Sequence, residues 1–268
     1  MLPAFAYARP DNVEDALELL SEDQVPMCGG TELLLAMRSG LYRPTALIDL
    51  KRIPDLRSVA RDGDELVIGS TCSHFEVSGD PLVRGLLPML ARVEERVGNA
   101  RVRAQGSIGG NLCFAEPKSD LATALIALGA LVTLISSRGR RTVAVQDFVV
   151  GPYFADKEPD ELLLDVRVPV VRARRGAYVK FQVAERPTVG VAVVEDPDAS
   201  RCRVVVGAVG DVPVSREYTG VDDVDVEALV RDLDPVQDLT GSVEYKRHVS
   251  GVFIRRALEQ LNRSRDHD

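Results

Sequence analysis

The sequence predicts a mixed α and β protein of two domains, divided near residue 170. Two observations carry that expectation. Residues 1–50 alternate short apolar runs with amphipathic segments, in the order strand–helix–strand–helix–strand. Beyond residue 170 the pattern changes, first to strands joined by a tight turn and then to an apolar stripe at helical spacing. A chain of 268 residues is long enough to bury both cores.

Along the chain, Asp11 or Asn12 caps a helix through VEDALELLSE, whose Val13, Leu17 and Leu20 share a face. VPMC is a short strand running into Gly29 and Gly30. Thr31 then holds the N-cap position of a helix, ELLLAMRS, that stops at Gly40. TALIDL is the next buried strand. ELVIGS reads as a strand and PLVRGLLPMLARVEERV as one helix, followed by a glycine-rich loop, Gly106 to Asn111. Ser119 caps a helix from Asp120 to Leu128. LVTLISS and RTVAV are strands flanking the turn at Arg138 to Arg140. ELLLDVRVPVVRARRGAYVKFQV carries a strand, a basic stretch and a second strand. TVGVAVVED and RCRVVVGAVG form a hairpin across PDAS. The tail is helical, VDVEALVRDL and then SVEYKRHVSGVFIRRALEQLNRS, with Val243, Val249, Phe253, Ile254 and Leu258 on one stripe.

Composition narrows the function classes. Aromatic residues make up 5% and tryptophan is absent, so no stacking surface for nucleic acid is advertised. The net charge of −8 argues against non-specific binding to nucleic acid or an anionic membrane. No basic segment precedes an apolar run at the N-terminus, and no stretch approaches the roughly 20 apolar residues of a membrane span. A cytoplasmic protein is expected. Cys28, Cys72, Cys113 and Cys202 are scattered without a CxxC pair, and His74, His248 and His267 have no HxxxH spacing. A disulfide framework, a zinc site and an iron–sulfur site are therefore not expected within this chain. A lone Tyr153, Tyr178 or His reads as structural.

Two segments expose backbone ahead of a helix: MCGGTELLLAMRSG, from Met27, and RAQGSIGGNLCFAEPKSD, from Arg103. Glycine lets amides converge on an anion, and a helix N-terminus behind them adds partial positive charge. Thr31, Ser107 and Asn111 add side-chain donors, and Asp120 could accept from a ribityl or ribose hydroxyl. Neither GxGxxG nor GxxxxGK[ST] occurs, so a Rossmann or Walker-type site is not supported. A tight turn with a helix cap explains each segment about as well as ligand binding. Together the residues point to a phosphate-bearing ligand, with a dinucleotide as one candidate.

These residues carry a resemblance. CGGTELLLAMRSG and VRAQGSIGGNLCFAEPKSDLATALIALGA resemble the two flavin segments of the FAD-binding medium subunit of molybdenum hydroxylases, the family of the carbon monoxide dehydrogenase medium chain and the xanthine dehydrogenase flavin domain. LVTLIS, RTVAVQDFVVGPY, DELLLDVRVP, YVKF and the tail EYKRHVSGVFIRRAL continue the likeness over nearly the whole chain. It implies an α+β fold: a two-subdomain FAD-binding domain of the vanillyl-alcohol-oxidase (PCMH) type, then a three-stranded antiparallel sheet with a helical bundle. The implied limits are 1–170, with subdomains 1–52 and 53–170, and 171–268. Met27, Cys28, Gly29, Gly30, Thr31, Glu32, Leu33 and Leu34 would wrap the FAD diphosphate with backbone donors, as would Ser107, Ile108, Gly109, Gly110 and Asn111 from the other side. Asp120 would hold a polar group of the cofactor, Leu163 would lie against the adenine, Lys180 would sit near the flavin, and Val97 would be a further contact. Phe114, Glu116 and the segment after Lys180 depart from the family pattern.

The resemblance also implies partners. A molybdopterin-binding large subunit would oxidise the substrate, and a small subunit with two [2Fe–2S] clusters would pass electrons to the FAD here, then to NAD, a quinone or oxygen. A heterotrimer or a dimer of heterotrimers follows. Lys180 would tune the flavin, and no residue is assigned acid–base work. Two other readings stay open: a stand-alone flavoenzyme, and a module that keeps the fold without a cofactor.

Overall fold

β1 (Ala6–Ala8), α1 (Val13–Leu19), β2 (Gln24–Met27), α2 (Leu33–Arg38) and β3 (Ala46–Asp49) build a parallel three-stranded sheet with β3 in the middle. The computed structural model describes residues 2–183 and 186–265. All of β3 is buried, as the apolar run ALI requires of a central parallel strand. Asn12 caps α1 by accepting from the Asp15 amide. The cap expected at Thr31 does not form. Gly30, at φ +64°, turns the chain after β2, so Thr31 stays outside the helix and α2 begins at Leu33.

The middle region holds β4 (Val59–Asp62), β5 (Glu65–Gly69), α3 (His74–Gly79), α4 (Pro81–Leu86), α5 (Pro88–Glu94), α6 (Ala100–Gln105), α7 (Ile108–Phe114) and α8 (Asp120–Leu128). It continues through β6 (Leu131–Ser136), β7 (Gly139–Ala144), α9 (Val145–Phe148), β8 (Val149–Gly151), β9 (Phe154–Ala155) and β10 (Leu162–Pro169). Five strands pair in the antiparallel order β4-β5-β10-β6-β7, and β8 pairs with β9. The single helix expected over 81–97 is two. Leu87 leaves the helical region at φ −133°, ψ 59°, because Pro88 has no N–H and disfavours helical geometry in the residue before it. The expected glycine-rich loop is also corrected, since Gly109 and Gly110 form the first turn of α7.

β11 (Arg175–Gln182), β12 (Pro187–Asp196), β13 (Arg201–Gly207) and β14 (Val214–Tyr218) form an antiparallel sheet in chain order. The resemblance implied three strands. β14 is the fourth, and its polar sequence VSREY conceals an edge strand that needs little burial. α10 (Val226–Asp232) and α11 (Val243–Arg265) follow. Val249, Phe253, Ile254, Ala257 and Leu261 of α11 share one core with Val191, Val193 and Val204. The other face of the sheet turns Ala192, Val194 and Val205 into the core that contains Leu121, Leu125 and Leu128 of α8. All nine residues of α8 are buried, and a side chain at Gly207 would meet Thr123 Oγ1 at 2.0 Å. That close approach seats α8 between the two antiparallel sheets.

Candidate functional site

The turn from β2 to α2 rests directly on the turn ahead of α7. A Cβ at Gly29 would lie 1.9 Å from the Gln105 carbonyl oxygen and 2.8 Å from the Gly106 nitrogen, so no other residue fits. Among the described residues, the amides of Gly29, Gly30, Thr31, Glu32 and Leu33 find no acceptor. They form a row of available donors. Leu34 turns its side chain back against Gly30, close to the Met27 sulfur.

The second segment is spent differently. Ser107 caps α7, its hydroxyl accepting from the Gly110 amide at 3.1 Å. Ile108 N–H donates to the Cys72 carbonyl at 3.0 Å, Gly109 N–H to the Ser70 carbonyl at 2.9 Å, and Asn111 N–H to the Ser107 carbonyl at 2.9 Å. Of the backbone donors expected from Ser107 to Asn111, those of Ile108, Gly109, Gly110 and Asn111 are thus engaged within the chain. The reason is packing: α7 lies on the turn after β5 so closely that a Cβ at Gly109 would stand 2.7 Å from the Ser70 carbonyl oxygen. What remains for a ligand is the Ser107 amide and hydroxyl proton, the Asn111 side-chain amide and the bare exposed backbone of Gly110. The Ile108 side chain is fully buried.

Cys28, Ser107, Gly109, Gly110 and Leu163 meet in one cleft of about 70 Å³, which Pro26 and Lys157 also line. Sequence reasoning missed Lys157. Burial lowers its pKa, and its ammonium donates to the Glu158 and Glu161 carbonyls at 2.8 and 2.9 Å. Two thiols face the same cleft. Burial pushes Cys28 up against the opposing hydrogen bond with Ser107, and pushes Cys113 to about 11. Both are protonated thiols near neutral pH. Their alkylation by iodoacetamide, followed by mass spectrometry, should be slow at about pH 7 and accelerate as the pH rises toward 10. Rapid labelling at neutral pH would contradict the burial.

A second cluster is tied to this cleft through Ser119. The Ser119 hydroxyl caps α8 by accepting from the Ala122 amide, and donates to Asn111 Oδ1 at 2.6 Å. Ser119→Ala should cost about 1 kcal/mol of stability through the lost cap, read as a lower melting temperature. The next residue, Asp120, is buried and accepts from the Tyr178 hydroxyl and from Lys180 Nζ at 2.7 Å. Lys180 also donates to the Arg96 carbonyl at 3.1 Å, beside buried Val97. Burial first, and the Asp120 carboxylate second, hold the Tyr178 phenol well above its ordinary pKa. Lys180 is therefore an interior, paired lysine and no surface residue. The partnership with Tyr178 has a sequence signal, because residues 178 and 180 share one face of a strand.

Arg186 was not singled out from sequence, yet it bridges the two segments. Its guanidinium donates to both Glu32 oxygens at 2.9 and 3.0 Å and pairs with Glu116. Phe114 meets Tyr153 edge to face at 5.3 Å. The basic stretch near 170 is paired internally: Arg167 with Asp62 and Glu65, Arg175 with Glu195, and Arg174 onto the Leu128 and Pro169 carbonyls. His74 Nδ1 lies 2.5 Å from Glu94, both buried beneath the Gly106 turn. His248 is exposed, and His267 lies outside the described residues. Among the described residues no group of three His, Cys, Asp or Glu could hold a metal ion, and no helix is long and apolar enough to cross a membrane.

Two glycine segments in direct contact, one with a row of free amides and both reaching a cleft closed by an apolar strand, define a dinucleotide-binding module. The family model of the FAD binding domain in molybdopterin dehydrogenase matches residues 3–171, and the chain belongs to that family. Its cofactor is FAD, and it is an oxidoreductase component. The chain is 31% identical to the carbon monoxide dehydrogenase medium chain of Afipia carboxidovorans, over 97% of this chain and 98% of the relative. It is 32% identical to the nicotine 6-hydroxylase medium subunit of Paenarthrobacter nicotinovorans, over 96% and 97%. Among solved structures, carbon monoxide dehydrogenase from Hydrogenophaga pseudoflava matches with a TM-score of 0.90 at 29% identity, covering 97% of this chain and 98% of that one.

Proposed function

We propose that this chain is the FAD-binding subunit of a molybdenum hydroxylase-type oxidoreductase. It receives electrons from the [2Fe–2S] clusters of a small partner subunit and delivers them through FAD to NAD, a quinone or oxygen. A separate molybdopterin-binding large subunit oxidises the organic substrate, in a cytoplasmic heterotrimer or dimer of heterotrimers. The chain divides as 1–170 for FAD binding, with subdomains 1–52 and 53–170, and 171–268. The observation that most supports this reading is the meeting of the two glycine segments: Cys28, Ser107, Gly110 and Leu163 line one cleft, and the row of free amides from Gly29 to Leu33 follows Cys28 directly in the chain.

The residues of the cleft fit FAD by their chemistry. The amides of Gly29 to Leu33 supply several donors from one side, as a diphosphate needs. Gly110 lets a phosphate pass close to the backbone, with Ser107 and Asn111 donating beside it. Leu163 offers an apolar surface to the adenine. FAD, when bound, supplies the electron chemistry, and the protein supplies binding and electrostatics. Asp120 would hold a polar group of the cofactor and Lys180, paired with it, would sit near the flavin, with Val97 a further contact. A cation at the N1/C2 carbonyl edge of a flavin favours the anionic reduced form, so Lys180→Met should lower the flavin potential.

The test is the visible spectrum of the purified chain, with the bound ligand released and identified. Stoichiometric FAD is expected. A colourless chain that takes up no FAD on reconstitution would support a module that has lost its cofactor. Turnover of a small molecule by the isolated chain would support a stand-alone flavoenzyme.

A further inference from the structure

We propose that a second, basic cavity on this chain binds a nucleoside phosphate. The cavity lies between α5, the free edge of the four-stranded sheet at β11, and α11, and measures about 390 Å³. That volume falls within the range of small-molecule sites, roughly 300–1,000 Å³. It shares no lining residue with the cleft at Ser107 and Gly110, and touches the proposed flavin end only through Lys180, whose ammonium is held by Asp120.

Three arginines face this space, Arg92 from α5, Arg96 from the turn after it and Arg256 from α11. None of the three has a carboxylate partner among the described residues. Other arginines of the chain do find carboxylates, among them Arg57 with Glu76, Arg138 with Asp160, Arg141 with Glu161 and Arg216 with Asp232. The other charges on the cavity wall are already engaged, Glu95 with Arg84 at 3.5 Å and Lys180 with Asp120 at 2.7 Å. Three uncompensated positive charges thus share one space on a chain of net charge −8. Like charges so gathered repel until an anion stands between them. Guanidinium forks match phosphate oxygens two at a time.

Met89, Val93, Val179 and Phe253 give the wall an apolar part, and Tyr178 and Gln260 complete it. The Arg256 guanidinium lies 4.8 Å over the Phe253 ring. That contact holds the guanidinium against the ring, and Arg256 is exposed, so it can also meet a flat ring of a ligand. A phosphate joined to a planar body satisfies both halves of the cavity. A nucleoside phosphate has that chemistry, and inorganic phosphate has only half of it.

The experiment uses the full chain loaded with FAD, so that the flavin cleft is filled, and ADP as the probe in titration calorimetry. One ADP per chain is expected. Arg92→Ala and Arg256→Ala should each weaken it by about tenfold while FAD content stays unchanged. The proposal is overturned by no ADP binding to the loaded wild-type chain, by ADP binding that survives the double variant, or by pyrophosphate bound as tightly as ADP. Should the chain hold no FAD, Gly110→Val, which blocks the cleft, must still bind ADP at the arginine cavity. Loss of ADP binding in that variant would instead place the probe in the cleft.

Discussion

Gly29→Ala is expected to lose bound FAD and to lower the melting temperature together. The added methyl would stand 1.9 Å from the Gln105 carbonyl oxygen and 2.4 Å from its carbon. Both are backbone atoms, so no side chain can swing away, and the two turns that shape the cleft must part. An overpacking cost near 3 kcal/mol follows, at the upper end for such insertions. Gly110→Val should behave differently. Its Cβ would meet only the Ser107 hydroxyl, at 3.0 Å, and the position is exposed. The fold should therefore survive while FAD retention falls sharply, because the branched side chain fills the place where phosphate approaches the backbone. Flavin content per chain and thermal unfolding by circular dichroism separate the two outcomes. A Gly29→Ala chain that keeps stoichiometric FAD at an unchanged melting temperature would remove the contact between the turns from the account.

Asp120→Ala is expected to destabilise the chain even without cofactor. The substitution leaves Lys180, whose side chain is 6% exposed, as a buried cation without its carboxylate, and strips the Tyr178 hydroxyl of its acceptor. Breaking one partner of a buried pair costs about 3–5 kcal/mol, which lowers the melting temperature by on the order of 10 °C in a chain of this size. The double variant Asp120→Leu, Lys180→Met removes both charges and should recover most of that loss. Sequence reasoning alone expects Asp120→Ala to weaken cofactor binding with the fold intact; the buried triad adds the structural cost. An unchanged melting temperature in FAD-free Asp120→Ala would show that the pair is not held in solution as it is here.

The sequence is clearest where a single local signal decides the outcome. Ser119 ahead of an apolar run makes the cap of α8, Asn12 makes that of α1, and the valine-rich runs make β12 and β13. The residues that meet at the cleft were legible as two glycine segments, each too short to prove a ligand. What joins them lies outside any local window. Gly29 must find Gln105, Arg186 must find Glu32 and Glu116, and Asp120 must find Tyr178 and Lys180. The amides of Ile108 and Gly109 follow the same rule. They read as ligand donors from sequence, and docking of α7 on the turn after β5 gives them to the Cys72 and Ser70 carbonyls. Local backbone chemistry is written in neighbouring residues, so the sequence by itself determined the caps, the turns and the alternation of strands and helices. Which donors stay free for a ligand depends on long-range packing, because a buried N–H must be satisfied by whatever carbonyl the fold brings to it, and only the tertiary structure decided that.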